Sequence, residues 1–540
     1  MTSGKEIIDV FQRAKTIRMN GYDQRFNRIA RYLAPQDEHF GDLNRQPGNH
    51  AREKIFYNKP SLLVEKYISV LDYLLTPAGT LWHGLTLENG DELANSPAVK
   101  DWFDQTRDVL FRYRYNTRSG FRGASLSGYA DIGVFGNSCI FIDERADGTP
   151  HYRAVPMYQV FIGEDWLGQP DTVYRHFPST IRQLKQRFGE ELLPSAVLSR
   201  GKQNAEETVE VVHCVIPNER YVVDSDRPEE SQYTSHYVLL ESQTLIETRP
   251  QYSMPYAVGQ LRRRSGELYA RGPGDVVLDD IAMLNRLSRD IIEGSARAAF
   301  PPILLHGKGA GSKFSMRNGA LNWDMVSPEG RPLAQAMQGL TNPGTGIEVL
   351  EWFEGRLKEA FLLDLFEILV EKKNMSATEV LERKGEKSSF LSTGIGDLQL
   401  QLATMIEREI DILSRNGKLP QPPQELIDRF GGAVRFSISY DTELSRLQKA
   451  GQISAQQRWF QETMAYAQAD QSVVQMLNFE ELVKASHEGN MLPSNLLFEG
   501  EELEARRQAA AEQQQQQQLL EAAPAAAGAI RDLGQAGLIQ

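Results

Sequence analysis

The chain has 540 residues, which is enough for three or four domains of ordinary size. Hydrophobic residues make up 41% and charged residues 24%, a globular composition that excludes a wholly disordered chain. The formal net charge of −13 excludes a protein that coats nucleic acid, because binding phosphates requires clustered lysine and arginine. Any contact with nucleic acid must therefore be local.

The cysteines and the N-terminal residues indicate the compartment. Cys139 and Cys214 lie in apolar, strand-like stretches, and we expect buried free thiols in a reducing cytoplasm. The first residues lack the apolar core of a signal peptide. The most apolar run, residues 62–75, contains three charged residues, and we therefore expect no membrane span.

The first 265 residues predict an α+β body. Apolar residues recur at steps of three and four in the N-terminal segments, whereas short strand-like runs bounded by turns follow after Gly120. The expected helices cover residues 5–33, 60–75, a segment that begins at 97, and 180–188, and the expected strands cover 138–143, 152–155, 158–162, 208–216 and 237–240.

A first long helix is predicted after the turn at residues 272–275, with Asp275 as its N-cap. Apolar and small residues then recur in heptad-like steps, which is typical of a helix that packs closely against another. This seam consists of Val277, Ile281, Leu284, Ser288, Ile291, Ser295 and Ala298. Pro301 and Pro302 end the helix, and residues 303–344 read as short strands and loops rich in glycine and proline.

A second long helix is predicted over residues 345–371. Thr345 and Glu348 form a capping box, and an apolar stripe follows it. At 1.5 Å per residue this helix would be about 39 Å long, too long for the interior of a small domain. The stripe consists of Leu350, Phe353, Leu357, Phe361, Leu365 and Ile368.

The end of the second helix carries charge of both signs. Asp364, Glu367 and Glu371 share one face, which is either a solvated face or the wall of an acidic channel. A basic tip of Lys372, Lys373, Asn374 and Met375 follows, and its lysines either cap the helix C-terminus or contact a polyanion.

The remainder of the chain is mostly helical. A second capping box, Ser376 with Glu379, starts a helix that ends at Asn416-Gly417. A strand is expected over residues 434–440, and helices over 443–487. The C-terminal residues are rich in glutamine and alanine, a low-complexity tail that need not pack.

No motif supports catalysis. Residues 307–313 end in Gly-Ser-Lys rather than the Gly-Lys-Ser/Thr of a phosphate-binding loop, so we interpret them as a basic docking loop. His151, His176 and His213 alternate with apolar residues and are expected to be structural. The basic cluster at 262–264 is interpreted as a solvated turn that pairs with acidic neighbours. We therefore expect no enzyme activity, no cofactor and no metal.

Several local strings, in their order along the chain, resemble the portal (head-to-tail connector) proteins of short-tailed bacteriophages. The string at residues 131–137 looks like the family's glycine turn before a strand. The string at residues 269–273 looks like its Arg-Gly-Pro element before the first long helix, and the one at residues 375–380 looks like the start of the helix after its tunnel loop. The strings are Leu75-Thr76-Pro77 followed by Trp82, Asp131-Ile132-Gly133-Val134-Phe135-Gly136-Asn137, Tyr269-Ala270-Arg271-Gly272-Pro273 and Met375-Ser376-Ala377-Thr378-Glu379-Val380.

The resemblance implies a largely helical α+β portal-type fold that forms a ring, a dodecamer, around a DNA channel. The chain would divide into an α+β wing at 1–265, a first stem helix at 266–299, a clip at 300–344, a second stem helix at 345–371, a tunnel loop at 372–376, a long wing helix and returning strand at 377–442, a helical crown at 443–500 and the Gln/Ala-rich tail at 501–540.

The resemblance also assigns partners and sites. The tunnel loop and the acidic face beside it would line the channel, where double-stranded DNA passes without sequence specificity. Lys308, Lys313 and Arg317 in the clip would dock the terminase large subunit and later the tail adaptor. Major capsid and scaffolding proteins would be further partners, with assembly in the host cytoplasm and a final place at the portal vertex of the virion. The alternatives are another ring-forming tail adaptor or tube component, and a packaging nuclease or ATPase subunit.

Overall fold

The structure is a computed structural model, and the residues it describes fall into ranges with gaps. These are residues 3–38, 40, 55–88, 93, 96–222, 225, 227–299, 303–305, 315, 317–323, 325–332, 343–361, 363, 396–430, 436–441, 456, 458–466, 475, 477–489, 503 and 506–510.

Amphipathic segments of the sequence form the helices. Each begins where apolar residues start to recur at helical spacing, and most end at a glycine, an asparagine or a polar turn. The helices are α1 Gly4–Gly21, α2 Asp23–Leu33, α3 Lys59–Leu75, α4 Pro97–Arg114, α5 Phe121–Phe135, α6 Ile181–Phe188, α7 Ser195–Gln203, α8 Pro273–Val276, α9 Leu278–Ala299, α10 Pro343–Ala360, α11 Leu398–Arg415, α12 Gln424–Phe430 and α13 Phe479–Gly489.

Within the ranges just given, the strands form four sheets. A five-stranded antiparallel sheet has the order β4-β5-β6-β7-β8, a three-stranded antiparallel sheet has the order β3-β2-β9, and two further pairs are β1-β12 and the parallel β10-β11. The strands are β1 His83–Leu87, β2 Asn137–Glu144, β3 Pro150–Ala154, β4 Val160–Glu164, β5 Pro170–Thr180, β6 Thr208–Pro217, β7 Tyr233–Leu239, β8 Leu245–Gln251, β9 Tyr256–Gln260, β10 Ile303–Leu305, β11 Leu321–Trp323 and β12 Phe436–Tyr440.

The five-stranded sheet is covered on both faces. Because side chains alternate along a strand, Val212 and Cys214 of β6 face α1, where they pack with Phe11. Val211 faces the opposite side, where it packs with Leu184 of α6. Cys139 and Cys214 are both buried free thiols, which confirms the prediction from their apolar surroundings.

The body agrees with the mixed α+β expectation, and the sequence missed one central helix. Helix α5 occupies residues that were expected to begin a strand-rich region. It was not predicted because its glycines lower helix propensity. Those glycines allow close packing, since a Cβ at Gly133 would lie 2.9 Å from the Tyr67 ring of α3. The expected glycine turn therefore lies at Gly136 alone, and Asp131 and Gly133 are helical.

Two predicted helix starts were wrong. Asp275 lies inside the short helix α8 and makes ion pairs with arginines, so it does not cap α9. Thr345 lies within α10, which begins two residues earlier at Pro343, so it is not an N-cap. Helix α10 ends at Ala360, and the rest of the predicted helix, residues 364–371, lies outside the described residues.

The chain divides into two compact units. The larger comprises residues 1–84, 106–420 and 438–455, and contains the two main sheets and the two long helices. The smaller comprises residues 85–105, 421–437 and 456–540, within which Ser96 donates to a Glu425 carboxylate oxygen at 2.8 Å. Across the described ranges, no helix combines the length and the apolar composition that crossing a bilayer requires.

Candidate functional site

Helices α9 and α10 pack against each other within the larger unit. The predicted seam of α9 is buried at Ile281, Leu284 and Ser288, and the stripe of α10 is buried at Phe353 and Leu357. Further along α9 the burial decreases, and Ser295 is exposed. The pair is therefore fixed at one end and increasingly exposed towards the other.

A polar cluster fixes α10 to the start of α3. The Tyr57 hydroxyl donates to a carboxylate oxygen of Glu354 at 2.8 Å, and Lys59 pairs with the same carboxylate. Burial of the phenol and the adjacent Glu354 charge raise the pKa of Tyr57. The phenol thus stays protonated and keeps donating.

A second set of polar contacts fixes α9. The Asn285 side-chain oxygen accepts from the backbone N–H of Phe56 at 2.7 Å and of Tyr57 at 3.2 Å. Arg356 of α10 pairs with Asp280 of α9 at 3.2 Å. The two helices are thus tied to the same short segment before α3.

Several large apolar side chains of α9 and α10 are exposed. Trp352 is 60% exposed and Met283 is 52% exposed, although tryptophan and methionine are usually buried. Ile292, Ile347 and Val349 are exposed on the same two helices. Several large apolar side chains left exposed on one helix pair indicate a protein contact surface.

The base of α9 is held by two strings that are distant in sequence. Asn137 at the start of β2 is fully buried, and its Nδ2 donates to the carbonyls of Phe135 (2.8 Å) and Ala270 (3.0 Å). Its Oδ1 accepts from the N–H of Ala270 at 2.8 Å. The structure therefore brings together the glycine-turn string and the Arg-Gly-Pro string.

Glycine is required where these two strings touch. Gly136 has φ of 75°, in the left-handed region, and a Cβ there would overlap the backbone nitrogen of Gly272. A Cβ at Gly272 would in turn lie 2.6 Å from the Gly136 nitrogen. The first long helix thus starts from a backbone-to-backbone contact that no larger residue permits.

Charged side chains surround this base. Arg271 donates to Glu267 at 2.6 Å and pairs with Asp275 at 3.3 Å, while Arg25 of α2 lies 3.8 Å from each of these carboxylates. The hydrogen bond from Arg271 lowers the pKa of Glu267. These ion pairs fix the loop before α9 to α2 of the body.

A buried ion pair that sequence reasoning missed connects α4 to α11. Arg114 donates to Glu409 through two parallel bonds, of 2.8 Å and 2.6 Å, and both side chains are almost fully buried. Tyr152 donates to the same carboxylate, and Arg114 Nη1 lies 2.9 Å from His83 Nε2. A sequence gives no signal for such a pair, because its members are 295 residues apart.

Most of the predicted site residues lie outside the described residues. This holds for Lys372, Lys373, Asn374 and Met375 of the tunnel loop, for Asp364, Glu367 and Glu371 of the acidic face, and for Lys308 and Lys313 of the clip. Arg317 is described, and it is exposed in the turn before β11. These assignments remain predictions.

Two of the three histidines and the basic cluster have structural partners, whereas the buried His151 Nδ1 has no hydrogen-bond partner among the described residues. His213 is hydrogen bonded to Tyr256 and Ser235, and His176 lies 3.0 Å from Glu210. Arg263 pairs with Glu164 at 2.7 Å, which confirms the acidic partner expected for the cluster at 262–264. In the part of the chain that the structure describes, no three His, Cys, Asp or Glu side chains gather as metal ligands.

Comparison with known proteins identifies the family. A family model for bacteriophage head to tail connecting proteins matches residues 4–497. The chain is 24% identical over 433 residues to a probable portal protein of Bordetella phage BPP-1, covering 78% of this chain and 76% of that protein. It is 23% identical over 387 residues to a portal protein of Salmonella phage epsilon15, covering 70% and 67%.

The chain therefore belongs to the bacteriophage head-to-tail connecting proteins, the family of the portal proteins. This confirms the resemblance that the four strings indicated. The alternative of another tail adaptor or tube component is not favoured.

Proposed function

We propose that this chain forms a closed ring at one vertex of the capsid, with α9 and α10 of every copy around a central DNA channel. The observation that carries the proposal is the exposed apolar surface on α9 and α10, which has no covering partner among the described residues of the same chain. A ring that closes by rotation would cover this surface with the next copy. Twelve copies are the number that family membership suggests.

The charge of the two helices suits a channel that does not hold its cargo. Helices α9 and α10 together carry eight acidic and five basic residues. Each phosphate that a protein cation neutralises adds affinity for DNA, so an excess of acidic groups favours sliding over binding. The role is thus structural, with no catalytic activity of its own.

Partners follow from this position. The basic residues Lys308, Lys313 and Arg317 of the clip are proposed to dock the terminase large subunit during packaging and the tail adaptor afterwards. The lysines at 372 and 373 are proposed to touch the DNA backbone at the narrowest point, without sequence preference. Capsid and scaffolding proteins would contact the ring from the head side.

The ring is tested by native mass spectrometry and negative-stain microscopy of the purified full-length protein. We expect closed rings from the wild type and mostly monomers from Trp352→Glu and Met283→Glu, because a buried unpaired carboxylate opposes the contact. Leu192→Glu is the matched control, since Leu192 is 47% exposed in the loop between α6 and α7.

Two results would contradict the proposal. A wild-type protein that stays monomeric at all concentrations would contradict the proposed ring. Rings that form equally well in both stem variants would show that α9 and α10 do not supply the contact between copies.

A further inference from the structure

A cavity of about 570 Å³ lies in the larger unit, away from the two long helices. Its lining comes from β2 and β3 of the three-stranded sheet, from β5, β6 and β7 of the five-stranded sheet, and from α6. This volume is in the range of pockets that bind small molecules.

The strand register places a row of side chains along one side of the cavity. Arg175 of β5 is opposite His213 of β6, and His213 is opposite Tyr237 of β7. The His213 and Tyr237 rings are stacked, with centroids 3.9 Å apart. His213 is held by Tyr256 at 2.6 Å and by Ser235 at 2.7 Å, so this side of the cavity is rigid.

The lining has an excess of positive charge. Arg153, Arg175 and Arg187 line the cavity together with one carboxylate, Asp143. That carboxylate is already engaged, because Arg187 pairs with it at 2.9 Å. Two guanidinium groups are therefore left without an anionic partner in the lining.

Arg175 has unused hydrogen-bonding capacity inside the protein. The residue is 4% exposed, and its Nε donates to Gln159 at 3.2 Å. Its Nη2 is buried and has no hydrogen-bond partner among the described residues. A buried charged donor without an acceptor costs free energy, which a rotation of the guanidinium towards an anion in the cavity would recover.

Burial and the positive charge of the lining lower the pKa of two groups in it, Arg153 and His213. Burial and the charges of Arg175 and Arg187 lower the pKa of Arg153. Burial, followed by the charges of Arg187 and Arg175, holds the pKa of His213 well below its usual range. His213 is therefore neutral at physiological pH and adds no charge to the site.

The remaining lining is mixed: four aromatic side chains lie beside others that include Ser179, Gln183 and Gln186. Phe141, Phe177 and Phe188 contribute to it beside Tyr237. Such rings stack on flat organic groups, whereas guanidinium groups match the geometry of a phosphate. The cavity is also larger than inorganic phosphate alone would fill.

We propose that this cavity binds a small phosphate-bearing molecule of nucleotide size, with the phosphate on Arg153 and Arg175 and the organic part against Phe141, Phe177 and Phe188. Neither the family nor the ring requires such a ligand. The site lies entirely within one copy of the chain, so its occupancy does not depend on the channel.

The test is isothermal titration calorimetry of the full-length protein with adenosine monophosphate, adenosine and inorganic phosphate. We expect saturable binding of adenosine monophosphate, weaker binding of inorganic phosphate and no binding of adenosine. Inorganic phosphate that binds as tightly as the nucleotide would overturn the organic part of the assignment. If none of the three compounds binds the protein, the proposal that the cavity is a binding site is overturned.

Substitution of the arginines tests whether adenosine monophosphate binds in this cavity. Arg153→Gln and Arg175→Gln should each weaken the binding of adenosine monophosphate about tenfold or more, as expected for loss of a charged hydrogen bond. Arg153 is exposed, so its variant keeps the test decisive if the Arg175 variant does not fold.

The matched control is Arg182→Gln, because Arg182 lies on α6 outside the cavity and pairs with Glu206. It should leave the affinity unchanged. Equal affinities in the wild type and the Arg153 variant would overturn the assignment. So would a loss of ring assembly without a change in affinity, since the arginines would then serve a contact between copies.

Discussion

Asn137 and Ala270 are hydrogen bonded to each other in both directions: Ala270 N–H donates to Asn137 Oδ1 at 2.8 Å, and Asn137 Nδ2 donates to the Ala270 carbonyl at 3.0 Å. The Asn137 side chain thereby makes the two hydrogen bonds to the Ala270 backbone that a neighbouring strand would otherwise make. Ala270 lies where the chain leaves the body for α9. The contact joins two strings that are 133 residues apart in the sequence.

Asn137→Ala should therefore lower the free energy of unfolding by about 1–3 kcal/mol for each polar group left unpaired. Urea unfolding followed by tryptophan fluorescence measures the effect. Asn116→Ala is the control, because Asn116 makes an exposed hydrogen bond to the backbone of Arg118. Equal losses in the two variants would show that the buried amide has no special role.

Gly136→Ala should be more damaging than an ordinary glycine substitution at positive φ. Gly266 provides the comparison, since its φ is 83° and no atom lies within 4 Å of the position that a Cβ would take. Gly266→Ala should cost about 1–2 kcal/mol from the left-handed conformation alone. Gly136→Ala should cost clearly more, because its Cβ would also overlap Gly272. Thermal unfolding of both variants tests this, and similar costs would contradict the close approach.

Glu409→Gln should destabilise the larger unit by about 3–5 kcal/mol, because it leaves Arg114 buried without its counter-charge. An exposed ion pair should behave differently. Glu206→Gln removes the partner of Arg182 at the surface, where such pairs contribute about 0–1 kcal/mol. Chemical unfolding of the two variants under the same conditions distinguishes buried from exposed pairing.

Acid sensitivity should depend in part on His236. Burial lowers the pKa of His236 from its ordinary 6.5 to about 4. The unfolded chain therefore takes up a proton first as the pH falls, and the folded state loses stability between about pH 6.5 and 4. For one histidine this loss reaches about 3 kcal/mol across the window.

His236→Gln should remove this contribution. The unfolding free energy of the wild type minus that of the variant should fall by up to about 3 kcal/mol as the pH decreases from 6.5 to 4, and it should change sign within this window. Measurement at pH 7.5 gives the baseline, which includes the lost contact between His236 and Thr248. A difference that stays constant over this range would show that His236 titrates normally in the folded protein.

Replacing Lys372 and Lys373 with alanine should leave rings intact and impair packaging or retention of DNA, because it removes the cations that are proposed to contact the DNA backbone. The charge-preserving double arginine variant is the control and should retain both activities. Packaged DNA is quantified in particles after nuclease treatment. Unchanged packaging and retention in the alanine variant would show that these lysines only cap the helix.

Local patterns predicted the elements that depend on local forces. The helix expected over residues 180–188 is present, begins with a capping box of Thr180 and Gln183, and ends at Gly189. Helix α11 ends at Arg415, just before the predicted Asn416-Gly417, and buries Leu398, Leu402 and Met405. In contrast, α5 was missed because glycines such as Gly133, which packs against Tyr67 of α3, serve tertiary packing that a single segment does not reveal.

The candidate site was less accessible to sequence reasoning. The seam on α9 could be read from its spacing, but the anchors Tyr57, Lys59 and Asn285 come from separate segments that meet only in the fold. The cavity near Arg175 was missed for the same reason, since its lining comes from two sheets and a helix. The spacing of apolar residues predicts one helix or strand at a time, whereas each of these sites is formed by several helices and strands.

The chain leaves the three-stranded sheet after β9 and returns to the same strand with α11. Gln401 of α11 donates to the carbonyl of Ala257 in β9 at 3.1 Å, and Ser138 of β2 donates to Gln401 at 3.2 Å. The segment that joins β9 to α11 is thus an insertion whose two ends lie on the same strand of the body. Such an insertion can lengthen, shorten or change its tip during evolution at small entropic cost.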